Sequence, residues 1–325
     1  MTTKNALIKA ACATAALASW GAQPASAQAE WPQRPVHFIV AFAPAGPADV
    51  VGRIVAQALQ DKWKQSVVVE NRGGGGGNIG ASVVARAEPD GYAVLVTTSA
   101  FPVNLTLYDK PGYALSDFHV AAIAATTPNV LARNASLKQT TLPDIIAAAK
   151  TENFSYASAG VGTTTQLAGE LIFKILAKVD VRHVPFTGAA PAATALMSGQ
   201  VQLAMLTQSS VSEFIKSGQI KAVAVTAAQR LPSMPDVPTV RETGVGDIVA
   251  STDIYFLMPA KTPPEIIGRF NADLNEILKS GQLDKAYAAA GVAPMTLDQA
   301  ASDAYLAGET KKWGGVIKAA GVKAE

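Results

Sequence analysis

Cysteine is almost missing from this 325-residue chain: the single copy is Cys12, close to the N-terminus. Without a second thiol there is no disulfide framework and no thiolate metal site. Histidine is nearly as scarce, and His37, His119 and His183 share neither an HxH nor an HxxxH spacing. No metal site is therefore expected. The chain also lacks a Gly-x-Ser-x-Gly elbow and a Gly-x-x-x-x-Gly-Lys-Ser/Thr loop, so neither a hydrolase nucleophile nor a nucleotide phosphate cradle can be assembled. An excess of one charge is missing too, with 27 Lys and Arg against 25 Asp and Glu. A nucleic-acid partner would need a basic footprint that is not there. These absences lead to the expectation of a protein that is not an enzyme and carries no metal or cofactor.

What is present starts at the N-terminus. Lys4 and Lys9 flank the start of an apolar, alanine-rich stretch over residues 10–18, and a polar segment closes on Ala25-Ser26-Ala27. That is the pattern of an export signal, with a positive region, a short apolar region and a small-x-small cleavage site. The apolar run falls short of the roughly 20 residues that span a bilayer. Residues 1–27 are expected to be a signal peptide, cleaved near Ala27, that delivers the protein to the periplasm. Their removal takes two lysines and no acids, so the net charge moves from +2 to 0, and Cys12 goes with them. The remainder is long enough for about two domains with a large core.

Along that remainder, apolar runs alternate with amphipathic ones. Strands are expected over residues 36–42, 67–70, 93–98, 154–157, 181–185, 201–206 and 220–226. Between them, Asp49 is read as the cap of a helix with Val51, Ile54, Val55, Ala58 and Leu59 on one face, and another helix carries Val83 and Val84. Thr141 opens a helix with Pro143 and Asp144 in its first turn, residues 166–176 form the next, and Thr262-Pro263-Pro264-Glu265 reads as a capped start of one more. Residues 101–117 look less regular. The order is that of an α/β protein built from βαβ units with parallel strands.

Two loops stand out. Ala43-Pro44-Ala45-Gly46-Pro47-Ala48-Asp49 and Ser158-Ala159-Gly160-Val161-Gly162-Thr163-Thr164-Thr165 each lead from a strand end into a helix start. Small residues let an anion approach the main chain, where free N–H groups and the positive helix end hold a carboxylate without a cationic side chain. Small residues are equally common in βα turns that only pack tightly. The second loop approaches a dinucleotide fingerprint, but Thr165 stands where the third glycine is needed. The glycine run over residues 73–77 either lets chain segments pass closely or lines a cleft, and close passage is the simpler reading.

These loops belong to a longer set of blocks: Trp31-Pro32-Gln33-Arg34-Pro35-Val36, Val69-Glu70-Asn71-Arg72, Gly77-Asn78-Ile79-Gly80-Ala81, Pro89-Asp90-Gly91-Tyr92, Tyr156-Ala157-Ser158, His183-Val184-Pro185-Phe186-Thr187-Gly188, Ser198-Gly199-Gln200-Val201 and Pro235-Asp236-Val237-Pro238-Thr239. In that order they resemble the solute receptors of tripartite tricarboxylate transporters, the Bug receptors. The resemblance implies a type II periplasmic-binding-protein (Venus flytrap) fold, with two α/β lobes of mixed or parallel sheets joined by two crossing segments. Residues 28–125 and 251–325 would form lobe 1 and residues 126–250 lobe 2. It implies a monomer that binds a small carboxylate, either a di- or tricarboxylate or an aromatic carboxylate, and docks on membrane subunits of the transporter. A sensor that presents its ligand to a membrane signalling partner would share these features, and an α/β enzyme acting on a carboxylate would share the cleft.

The resemblance carries ligand contacts onto Ala45, Gly46, Pro47 and Asp49 in the first loop and onto Ser158, Gly162, Thr163 and Thr164 in the second. Pro47 has no N–H and can only shape its loop. Thr98, Ser99, Thr187, Gln208 and Asp253 are candidate distal contacts, and Phe42, Phe186 and Tyr255 could pack on an apolar ligand body. Departures from the family pattern are Pro47 in place of a second adjacent glycine, Gln166 in place of a histidine, and Asp253 and Tyr255 where Trp and Gly are common. The last pair implies an acid and an aromatic at the cleft rim and an altered specificity.

Overall fold

A computed structural model describes residues 31–324; the expected signal peptide and Cys12 lie outside them. From Arg34 onward the chain forms one compact unit. Its elements run β1 (Val36–Val40), α1 (Pro47–Trp63), β2 (Val67–Asn71), α2 (Asn78–Ala85), β3 (Ala93–Thr98), α3 (Ala100–Leu107), β4 (Phe118–Asn134), α4 (Leu142–Ala148) and β5 (Phe154–Ser158). They continue with α5 (Thr164–Glu170), β6 (Val181–Pro185), α6 (Ala189–Met197), β7 (Leu203–Thr207), α7 (Gln208–Lys216) and β8 (Ile220–Val225). The chain closes with β9 (Ser251–Pro259), α8 (Pro264–Lys279), α9 (Asp284–Ala290), β10 (Ala293–Pro294) and α10 (Gln299–Ala320).

The strands fall into two sets that meet on β4. In the first, β1 pairs in parallel with β2 and β3, and β9 joins β3 to β4 by antiparallel ladders. In the second, β5 pairs in parallel with β6 and β7, while β7 and β8 both run antiparallel to β4. β4 serves both sets: residues 118–128 pair with β9 and residues 129–134 with β7 and β8. This is a two-lobed α/β fold with mixed sheets.

Its core follows the apolar pattern. One cluster packs Ala81, Leu95, Phe101 and Tyr255 in the first set, and another packs Ala192, Leu196, Val201 and Leu206 beneath α6 and α7 in the second. A third joins Val103 and Leu107 of α3 to Tyr156 and Leu167, with Trp313 and Ile317 of α10 sealing it. The C-terminal helix therefore contributes Leu306 to the first core and Trp313 to the third.

Several expectations are corrected. The stretch after residue 100 is not irregular throughout, because Ala100–Leu107 is helical and five of its first residues are buried. The proposed capping box at Thr262 does not form; Pro263 occupies the cap position without a side-chain hydrogen bond. Asp49 is not the cap of α1 either. Gly46 takes that place and Asp49 lies in the first turn. Thr141 does cap α4, accepting the Asp144 N–H at 3.2 Å.

Candidate ligand cleft

The carboxyl ends of β1, β5, β6 and β7 all open on one cleft, which is where parallel strands of open α/β sheets present their ligand sites. Its inner part, of about 680 Å³, is walled by the turn into α1 (Gly46, Pro47, Ala48), the start of α5 (Thr163, Thr164, Thr165) and the start of α6 (Gly188, Ala189, Ala190), with Thr207 before α7. An outer part, of about 1280 Å³, shares Phe42, Ala43, Pro44 and Thr187 with it and extends to the glycine run and Tyr108. No Asp, Glu, Lys, Arg or His lines either part among the described residues.

The first loop is held open by its own helix. Asp49 is 4% exposed, and its carboxylate accepts the Ala45 N–H at 2.9 Å, the Asn71 amide at 2.9 Å and the Arg53 guanidinium at 2.9 Å. Ala45 adopts φ 64°, a conformation that costs a residue with a Cβ and that the Asp49 bond secures. Burial alone would raise the Asp49 carboxyl, but the bonds from Arg53, Ala45 and Asn71 outweigh it and hold it below the ordinary value. Its charge is thereby matched by Arg53. The N–H groups of Gly46, Ala48 and Asp49 have no acceptor among the described residues, as expected for a first helical turn.

The second loop is tied more tightly. Gly162 N–H donates to Gln166 Oε1 at 2.8 Å, and the Thr163 hydroxyl donates to Gly160 O at 2.7 Å while accepting Gln166 N–H. Ser158 Oγ sits 2.7 Å from His183 Nε2 and also bonds Gly160. Burial lowers the His183 ring to a pKa of about 4, Glu170 opposing the shift only in part, so the imidazole is neutral at ordinary pH. Gln166 thus shapes the loop through its side chain.

The sequence-derived residues separate into groups. Gly46, Pro47, Thr98, Thr163, Thr164 and Thr187 are brought together on the cleft wall. Ala45, Asp49, Ser158 and Gly162 stand behind it, with polar atoms engaged in shaping the loops. Ser99, Gln208 and Asp253 are not on the wall. Asp253 is fully buried and accepts hydroxyl protons from Ser99, Thr126, Ser251 and Tyr305, the last at 2.9 Å. Gln208 donates to Ser233. Tyr255 is also fully buried, so the expected acid and aromatic at the rim are both interior, whereas Phe42 and Phe186 do face the cleft.

Two wall features were missed. The turn into α6 repeats the strand, small turn and helix pattern of the other loops, and Phe186-Thr187-Gly188 was its visible signal. Thr252 carries no such signal, being a polar residue in an apolar strand. The glycine run does both things weighed for it: it lines the outer cleft, and a Cβ on Gly73 would crowd Ala43 N at 3.2 Å.

Two α/β lobes, with helix N-termini and strand carboxyl ends gathered on one uncharged cleft, define a solute-binding protein. The chain belongs to the tripartite tricarboxylate transporter family receptors, whose family model matches residues 51–322. These are periplasmic binding proteins rather than enzymes. Protein BugT of Bordetella pertussis is 34% identical over 328 residues, covering 99% of both chains. Among solved structures, a Rhodopseudomonas palustris protein with adipate is 30% identical with a TM-score of 0.86, over 90% of this chain and 99% of that one. MatC from Rhodopseudomonas palustris with bound malate is 27% identical with a TM-score of 0.82, over 88% of this chain and 100% of that one. Among the described residues no helix is long and apolar enough to cross a membrane.

Proposed function

We propose that the cleft binds one small carboxylate and that the loaded protein delivers it to the membrane subunits of a tripartite transporter. One observation carries this reading: the turns into α1, α5 and α6 converge on a wall with no ionised side chain among the described residues. Unpaired N–H groups and positive helix ends favour an anion, and the absence of lysine or arginine leaves the main chain to hold it. Carboxylates in the solved relatives, adipate in one and malate in the other, agree in class. Among the described residues the Thr98 and Thr187 hydroxyls donate to no acceptor, and they suit a second carboxylate or other distal oxygen. Phe42 and Phe186 suit the apolar body between.

In this reading residues 28–125 and 251–325 form one lobe and residues 126–250 the other. The change of partners along β4 between residues 128 and 129 supports that division. Closing on the anion completes hydrogen bonds that neither lobe supplies alone.

A thermal-shift screen of the mature protein against mono-, di- and tricarboxylates and against matched amines tests the proposal. A binder at 100 times its Kd adds about 2.7 kcal/mol of stability. Stabilisation by acids alone is expected; no response to any acid, or a response to amines, defeats it.

A further inference from the structure

We infer that Asn129 orients the bound carboxylate from beneath the cleft, acting through Thr252 and Thr164. This rests on the reading of the cleft as a carboxylate site. Asn129 lies on β4 opposite Thr207, and its side chain is fully buried. Its Oδ1 accepts the Thr252 hydroxyl at 3.1 Å, and Thr252 Oγ1 is in turn hydrogen-bonded to Thr164 Oγ1. Both threonines are on the cleft wall. The Asn129 Nδ2 group has no acceptor among the described residues.

A hydroxyl has one proton, and that fixes the logic of the chain. When Thr252 donates down to Asn129, Thr164 must donate to Thr252, and only lone pairs of Thr164 remain for the cleft. Lone pairs repel a carboxylate. A half-turn of the Asn129 carboxamide exchanges its nitrogen and oxygen. The N–H then donates to Thr252, Thr252 donates to Thr164, and the Thr164 proton is free to point at the anion. The atom left unpaired becomes a carbonyl oxygen, which buried sites tolerate better than an orphan N–H. Each bond in such a chain polarises the next. Asn129 is therefore a positioning residue: it never touches the ligand, yet the orientation of its amide decides whether the cleft floor offers a proton or a lone pair.

The test measures Kd by calorimetry for adipate, malate and benzoate with the unmodified protein and with T164V, T164S, N129D and N129D/T164V, each checked by thermal unfolding. T164V and N129D, which removes the amide N–H that the relay needs at Thr252, are each expected to bind about tenfold more weakly. T164S keeps the hydroxyl and should bind as the unmodified protein does. The double variant should lose at least about threefold less than the product of the single losses, because both changes break one relay. Strictly multiplicative losses, or a T164S as weak as T164V, overturn the inference while leaving the receptor reading intact. If the unmodified protein binds none of the three acids, the receptor reading and this inference fall together. Should N129D not fold, NMR of the unmodified protein decides: the Asn129 side-chain amide protons should move downfield on adding the acid, and no movement overturns the relay.

Discussion

The Ala45 N–H donates to the Asp49 carboxylate at 2.9 Å, folding the first cleft loop back onto its own helix. The bond does two things at once. It stabilises Ala45 at positive φ, and it takes one amide away from any ligand, leaving those of Gly46 and Ala48 on the wall.

Replacing Asp49 by Ala should cost about 1–3 kcal/mol of stability, since the Ala45 and Asn71 donors lose their acceptor, and carboxylate affinity should fall with the loop's shape. The folded carboxyl is held below its ordinary value of 3.8, so it contributes stability that is present above that value and lost as pH falls through the lower folded value. Chemical denaturation followed from neutral to strongly acidic pH should show this decline, and Asp49→Asn should flatten it. A decline of equal depth in the variant would remove Asp49 as its source.

His183 gives the same relation to pH in a higher window. Its folded pKa of about 4 lies below the ordinary histidine value of 6.5. The unfolded chain therefore binds more protons in that interval, and stability should fall as pH drops from 6.5 toward 4. His183→Gln should reduce that slope, as read from Tm against pH.

Ligand affinity for monocarboxylates should be flat between about pH 6 and 8, because among the described residues no carboxylate, amine or imidazole lines the cleft and such an acid is itself ionised there. Calorimetric Kd values that change severalfold across this range would mean that an ionisable group takes part in binding.

Asp253→Asn should separate stability from recognition. The buried carboxylate accepts four hydroxyl protons, from Ser99, Thr126, Ser251 and Tyr305, and the amide can accept only some of them. A loss of about 1–3 kcal/mol in denaturant unfolding is expected. Relative affinities across a carboxylate panel should keep their order, because Asp253 does not line the cleft.

Gly169→Ala should be destabilising by about 1–3 kcal/mol through overpacking. A methyl group there would overlap the Tyr156 ring, whose hydroxyl donates to Glu170 at 2.8 Å. Urea midpoints of the two proteins give the comparison.

The βα turns were legible because glycine, proline and threonine between apolar runs have few other uses, and the wall residues Gly46, Thr163, Thr164 and Thr187 came from that pattern together with the family resemblance. The strands that join the lobes were not. β4 contains Thr126, Thr127, Pro128 and Asn129, a series that reads as a turn, and only its pairing on both sides makes it a strand. β9 hides an acid among apolar residues, so Asp253 read as an acid at the cleft rim until its four hydroxyl partners were seen. α10 has weak amphipathic character because it faces two cores in succession, with Gly308, Gly314 and Gly315 along its length.

The shared strand β4 restricts what motion the molecule can make. Its 17 residues spend their main-chain groups on β9 in the first part and on β7 and β8 in the second. Sliding the halves past each other would rupture both ladders, whereas a bend around Pro128, where the partners change, would disturb only the bonds at their junction. In the proposed receptor, cargo would then come and go by a swing alone, with both walls of the binding site arriving as finished surfaces.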